Sequence, residues 1–182
     1  VVSPLIALID DQVGKLREAG LSAERIHSGL PREHARESCR AYLRGDLDYL
    51  FIAPERLRVP GFTELLERRP PALVAIDEAH CISEWGHDFR PDYLRLPRVL
   101  ERLGRPAVMA CTATATEDVS AEIAERLGLR DPLMIRAGFD RPNLSFDIVQ
   151  FEGKGSKARK LAMLLHGLRA EANRPAIVYC GT

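Results

Sequence analysis

Short apolar runs alternate along the chain with stretches in which apolar residues recur every three or four positions. The runs predict strands and the stretches predict amphipathic helices. Val1-Val2-Ser3 reads as the tail of a strand. It turns at Pro4 into a helix with Leu5, Ile9, Val13 and Leu16 on one face, stopped at Gly20. Arg25 to Leu30 reads as a short strand and turn. Arg32 to Gly45 reads as a helix with Ala35, Cys39, Tyr42 and Leu43 on one face and arginines on a solvated one. Tyr49 to Ala53 is a buried strand closed by Pro54-Glu55-Arg56-Leu57, and Phe62 to Arg68 a short amphipathic helix. Ala72 to Ile76, preceded by Pro70-Pro71, is apolar and partly β-branched, the pattern of a fully buried parallel strand. Leu94 to Leu103 is a helix with Leu96, Val99, Leu100 and Leu103 as its stripe. Val108 to Cys111 is another buried strand. A helix then runs through Val119, Ile123 and Leu127 to Gly128, and Leu133 to Arg136 is a last short strand. Gly138 to Leu144 breaks the pattern as a linker. Beyond it come an alternating strand, Ser145 to Phe151, and a helix opened by Ser156 with Leu161, Leu164, Leu165 and Leu168 on one face. A strand from Pro175 to Cys180 follows. This alternation predicts an α/β fold with a doubly wound, mostly parallel sheet.

The strand Ala72 to Ile76 runs into two adjacent carboxylates, Asp77 and Glu78. Ligands of open α/β sheets sit beyond the carboxyl ends of strands. Two ionised groups at a buried strand tip cost desolvation and bring no structural gain. Asp followed by Glu at this place is how nucleotide-dependent motors hold magnesium and position the attacking water. The alternative is a helix N-terminus favoured by the dipole. Trp85 and Phe89 follow, set among His87, Asp88 and Arg90. Aromatics interleaved with a guanidinium make a stacking platform for single-stranded nucleic acid. Spaced four apart, the two rings also fit a helical core pair. Thr114 and Glu117 have capping-box spacing, which leaves Thr112 without a structural explanation.

Composition adds limits. The 182 residues are 46% hydrophobic and 29% charged, enough for a real core. No run of about 18 apolar residues exists, so no transmembrane helix is expected. Lys plus Arg balance Asp plus Glu at 26 each, which argues against a nonspecific nucleic-acid coat and for a local site. The four cysteines lack CxxC spacing. Cys111 and Cys180 lie in strand-like runs and read as small buried hydrophobes of a reducing compartment. His80, Cys81, His87 and Cys111 match no standard zinc spacing. Val1-Val2-Ser3 is neither a signal peptide nor a start, and the chain is expected to be cut from something longer.

Asp77-Glu78-Ala79-His80 followed by Cys-Ile-Ser-Glu-Trp-Gly-His-Asp-Phe-Arg-Pro resembles motif II and the aromatic-rich loop of RecQ-family DNA helicases, of superfamily 2 and DEAH type. Only Glu84 departs, standing where many relatives have Gln. Ser3-Pro4-Leu5-Ile6-Ala7-Leu8 resembles motif Ia. Ala53-Pro54-Glu55-Arg56-Leu57 resembles a Ser-Pro-Glu-Arg-Leu turn with Ala for Ser. Thr112-Ala113-Thr114-Ala115 resembles motif III, Phe139 to Asn143 the segment joining two motor domains, and Ala176 to Cys180 motif IV. The resemblance covers essentially the whole chain. It implies two RecA-like domains of P-loop NTPase type: 1–137 as a first domain incomplete at its N-terminus, 138–144 as linker, and 145–182 as the start of a second. It implies an ATP-dependent helicase moving 3′ to 5′ on single-stranded DNA and unwinding forked DNA in recombination and repair. Such a protein works in the bacterial cytoplasm at the nucleoid, or in a nucleus.

By the same resemblance Asp77 holds Mg2+ through water, Glu78 polarises the hydrolytic water, and His80 links motif II to Thr112 and Thr114 of motif III. Trp85, His87, Phe89 and Arg90 sense DNA. Ser3, Pro4, Arg56 and Thr112 lie along the DNA track. No GxxxxGK[ST] loop occurs in the chain. Its N- and C-terminal complements in the same polypeptide are therefore expected as partners, and the chain alone is expected to be inactive. Two other readings are an inert DNA-binding module of helicase ancestry and a metal-dependent hydrolase using Asp77, Glu78 and His80.

Overall fold

The computed structural model describes residues 1–83, 88–136 and 156–169. The chain divides into two compact units, Val1–Met134 and Ile135–Thr182. In the first, four strands form two parallel pairs: β1 (Ala23–Ile26) with β2 (Tyr49–Ile52), and β3 (Leu73–Ile76) with β4 (Ala107–Ala110). Val2 joins the pairs, bridging in parallel to Ile52 on one side and to Ile76 on the other. The order is thus β1, β2, the Val2 segment, β3, β4. All strands run the same way, so every loop that follows a strand leaves from one edge.

Alternation along the strands divides the core between the two faces. Ile26, Ile52, Val2, Val74 and Ile76 face one side. They pack with residues of α3 (Phe62–Glu67), α4 (Leu96–Arg102) and α5 (Glu117–Leu127). Ala35, Cys39 and Tyr42 of α2 (Arg32–Arg44) pack against the same cluster. Ala23 and Phe51 face the other side, under Ile9 and Val13 of α1 (Ile6–Glu18). Helices on both faces make the sheet doubly wound. The helix ends follow local chemistry. Gly45 and Gly128 close α2 and α5 in the left-handed conformation that glycine adopts without steric cost.

The structure corrects four expectations. The strands are parallel, but β3 and β4 are not fully buried: Leu73 is 49% and Met109 48% exposed, on the face that α1 covers only over β1 and β2. Cys111 lies on that same open face and is exposed. Leu133 to Arg136 is not a strand, and Leu133 is 86% exposed. A strand exists by pairing, and among the described residues none lies beside this run. The cap of α5 is Thr116, whose Oγ1 accepts from the Val119 amide, not Thr114. In the second unit the described part is one helix, α6 (Ser156–Arg169), with Leu161, Leu164 and Leu165 exposed. The linker 138–144, the strand expected over 145–151 and that over 175–180 lie outside the described residues.

Candidate functional site

The site is built where β3 ends. Asp77 follows the last strand residue, and its amide still donates to the Val2 carbonyl at 2.9 Å. Its carboxylate is held from two directions. Oδ1 accepts from the Glu78 amide at 3.0 Å, and Oδ2 accepts from the Ser3 hydroxyl at 2.8 Å. The Tyr93 hydroxyl donates to the Asp77 carbonyl at 2.8 Å. Glu78 then takes a left-handed backbone, φ 48° and ψ 46°. That conformation costs a non-glycine residue about 1–3 kcal/mol and is found where a site needs it. It turns the chain sharply from the strand into the 3-10 turn Ala79–Ile82.

That turn rests on the end of β4. The Ala79 amide donates to the Cys111 carbonyl at 2.9 Å. His80 is buried, and its Nδ1 lies 2.8 Å from Thr112 Oγ1 and 3.3 Å from Glu78 Oε2. As an N–H, Nδ1 bonds the threonine and the carboxylate together. The Thr114 amide donates to the same Thr112 hydroxyl at 3.3 Å. Two of the residues expected to touch, His80 and Thr112, are thus brought together, with Glu78 at the same nitrogen.

The loop after the turn is closed at its neck, where the Arg90 amide donates to the Cys81 carbonyl at 2.9 Å. The Arg90 guanidinium pairs with Asp88 at 2.9 Å and reaches the Pro4 carbonyl at 3.4 Å. Arg90 therefore ties the loop to the segment that follows Val2. Phe89 is exposed. Trp85 and His87 lie outside the described residues. Ser3 is fully buried on Asp77 rather than open to a nucleic-acid strand. Pro4, next along, is half-buried. Arg56 follows β2 at the same edge, its guanidinium carbon 5.1 Å from the centre of the Phe62 ring.

Asp77 fits a magnesium ion held through water. Mg2+ takes hard oxygen ligands and keeps most of its waters. Each Asp77 oxygen accepts one hydrogen bond and retains a free lone pair. A second donor trio, His80, Cys81 and Asp88, lies within 4.8 Å. It suits a metal less well, because burial pushes the Cys81 thiol up to about 11 and Arg90 already occupies Asp88.

Sequence reasoning missed Tyr93, the Ser3 bond to Asp77 and Glu122, whose carboxylate accepts from the Ser83 hydroxyl. The partners stand 16, 74 and 39 positions apart, so no local pattern announces them.

Comparison with known proteins gives the following matches. The profile of the DEAD/DEAH box helicase family matches residues 1–122. The chain is 42% identical over 155 residues to the ATP-dependent DNA helicase RecQ of Bacillus subtilis, covering 85% of this chain and 26% of that protein. It is 37% identical over 186 residues to the probable ATP-dependent DNA helicase RecS of the same organism, covering the whole chain and 36% of that protein. With RecQ of Pasteurella multocida it shares 33% over 182 residues. The chain spans about a quarter to a third of the length of these curated relatives. The crystal structure of the Pyrococcus furiosus Hef helicase domain aligns over 70% of this chain and 26% of that one. The TM-score is 0.48 and the identity 19%.

Proposed function

Because the chain belongs to the DEAD/DEAH box helicase family, and within it to the RecQ helicases, we propose that it carries the hydrolytic and DNA-sensing half of a helicase motor. In this reading residues 1–137 belong to the first RecA-like domain and 145–182 open the second. The substrates are ATP and single-stranded or forked DNA, met in a bacterial cytoplasm or a nucleus. Among the described residues no helix is long and apolar enough to cross a membrane.

The observation that carries the proposal is the convergence of Glu78, His80 and Thr112 on one imidazole nitrogen, at the edge where such sheets bind ligands. Asp77, oriented by Ser3 and the Glu78 amide, would hold Mg2+ through water, and the ion would screen charge on the phosphates. Glu78, pinned by its left-handed backbone and by His80, orients the attacking water and accepts its proton. Thr112 and Thr114 carry the state of that site to the nucleic-acid side. Along that side lie the turn at Pro4, Arg56 and the loop with Trp85, His87, Phe89 and Arg90.

The phosphate-cradling loop is not in the sequence, and electrostatic positioning supplies most of phosphoryl-transfer catalysis. This chain by itself should therefore release no phosphate from ATP. Joined to a phosphate-binding loop and the rest of the motor, it should show DNA-stimulated hydrolysis that Glu78→Gln abolishes while ATP still binds. DNA-stimulated turnover near about 1 per second from this chain alone would overturn the reading. Full turnover in the Glu78→Gln helicase would do so as well.

A further inference from the structure

The turn after Glu78 gathers a nitrogen, a sulfur and an oxygen donor. His80 Nε2 lies 3.9 Å from Cys81 Sγ, and Cys81 Sγ lies 3.9 Å from Asp88 Oδ2. All three ligand atoms fall within 4.8 Å of one another. A tetrahedral zinc ion, with sulfur at about 2.3 Å and nitrogen or oxygen at about 2.0–2.2 Å, spaces its donors about 3.3–3.6 Å apart. The two gaps to the sulfur therefore need to close only slightly. His80 is already set for the task. Its Nδ1 lies 2.8 Å from Thr112 Oγ1 and 3.3 Å from Glu78 Oε2. With the proton on Nδ1, Nε2 presents its lone pair toward the sulfur. A histidine that ligates a metal almost always gives its other N–H to a carboxylate or a comparable acceptor. His80 and Cys81 are buried and Asp88 is exposed, so the trio opens to solvent at the Asp88 end.

We propose that His80, Cys81 and Asp88 form an inhibitory site for a thiophilic divalent cation, with Zn2+ as the ion it fits best; the inhibitory part rests on the helicase reading above. Thiolate and imidazole select zinc over magnesium, which prefers the oxygens of Asp77. Burial pushes the Cys81 thiol up to about 11, so the sulfur is protonated before the ion arrives. The ion displaces that proton to water and leaves a thiolate ligand. Asp88 keeps its pair with Arg90, because a carboxylate has about four acceptor positions. The proton to be displaced and the shared carboxylate lower the affinity, which suits a regulatory ion and not a resident one. Water completes the tetrahedron. An ion on Nε2 polarises the Nδ1–H bond. Glu78 then accepts from a stronger donor and becomes a weaker base for the attacking water.

Cobalt is the probe, since Co2+ takes zinc sites and a thiolate ligand gives it a charge-transfer band in the near ultraviolet. The 182-residue chain, reduced and carrying Cys111→Ser to remove the exposed thiol, should bind Co2+ with this band. Zn2+ should abolish the band, and an excess of Mg2+ should not. Cys81→Ala should remove it. Asp88→Asn changes an exposed side chain, so folding is not at stake. It should keep the band and weaken Co2+ binding by at least the roughly tenfold that loss of an outer-shell partner costs. A band unchanged in Cys81→Ala would overturn the site. So would Asp88→Asn binding Co2+ as tightly as its parent. In the assembled helicase assayed with Mg2+ and ATP, Zn2+ should slow hydrolysis about tenfold, a part of what a general base contributes. Cys81→Ala should relieve that inhibition. Equal inhibition in Cys81→Ala would refute the link from the ion to Glu78. An assembled protein that hydrolyses no ATP would refute the helicase reading, and the cobalt band would still decide the site.

Discussion

At the scale of single residues, Trp85 carries the sharpest test of DNA sensing. It lies seven residues beyond Glu78, and a base stacked on its ring would contribute about 1–3 kcal/mol. Phosphate contacts elsewhere supply most of the affinity for DNA. In the assembled helicase, Trp85→Ala should therefore nearly abolish DNA stimulation of hydrolysis while ATP affinity and melting temperature hold. Collapse of the fold instead would mark a core residue, whose truncation costs about 3–5 kcal/mol. Tyr93 is a residue of the opposite kind, fully buried and bonded to the Asp77 carbonyl. Burial raises its phenol well above the ordinary value. Its contribution to stability is then complete below the unfolded pKa near 10 and drains away as pH rises beyond it. Tyr93→Phe should cost about 1 kcal/mol at neutral pH and should flatten the alkaline limb of the stability profile. An alkaline limb unchanged by the substitution would contradict the assignment.

At the scale of elements, α5 matters twice, as a wall of the core through Ile123 and Leu127 and as the base that grips the turn after Glu78. Its start is set by Thr116, and Thr114 is exposed and uses its amide on Thr112 instead. Thr116→Ala should thus cost about 1 kcal/mol of stability in denaturant titration. Thr114→Ala should cost much less. Equal costs would mean that the capping box suggested by the spacing of Thr114 and Glu117 is the real one.

At the scale of the whole molecule, the open face over β3 and β4 is the weak point. Leu73, Met109 and Cys111 are exposed there, and among the described residues β4 has a partner on one side only. An unpaired edge beside an apolar face invites association. The isolated chain should self-associate at micromolar concentration, seen as a rising mass in light scattering. Met109→Lys, which charges that face without entering the core, should lower the association. A clean monomer at all concentrations would show the face to be harmless.

Much of this protein was legible from its residues alone. Among the described residues, apolar runs with the right periods located β2, β3 and β4 and the helices of both faces, because burial imposes periods of 2 and 3.6 on any chain that must cover a sheet; β1, expected over Arg25 to Leu30, lies instead at Ala23–Ile26, where polar Glu24 and Arg25 interrupt the apolar pattern. Asp77 and Glu78 stood out because two ionised carboxylates at a buried strand tip cost desolvation, and His80 through the resemblance of Asp77-Glu78-Ala79-His80 to motif II. The sequence could not show which apolar faces lack a cover, since Leu73 and Met109 look as buried in a pattern as Val74 and Val108. It could not choose between Thr114 and Thr116, two hydroxyls equally fit to cap. Nor could it join Ser3 to Asp77, Tyr93 to the Asp77 carbonyl, or Glu122 to Ser83. Those pairs are made by the parallel sheet, which brings chain ends far apart in sequence to one edge, and by α5 folding back across the turn.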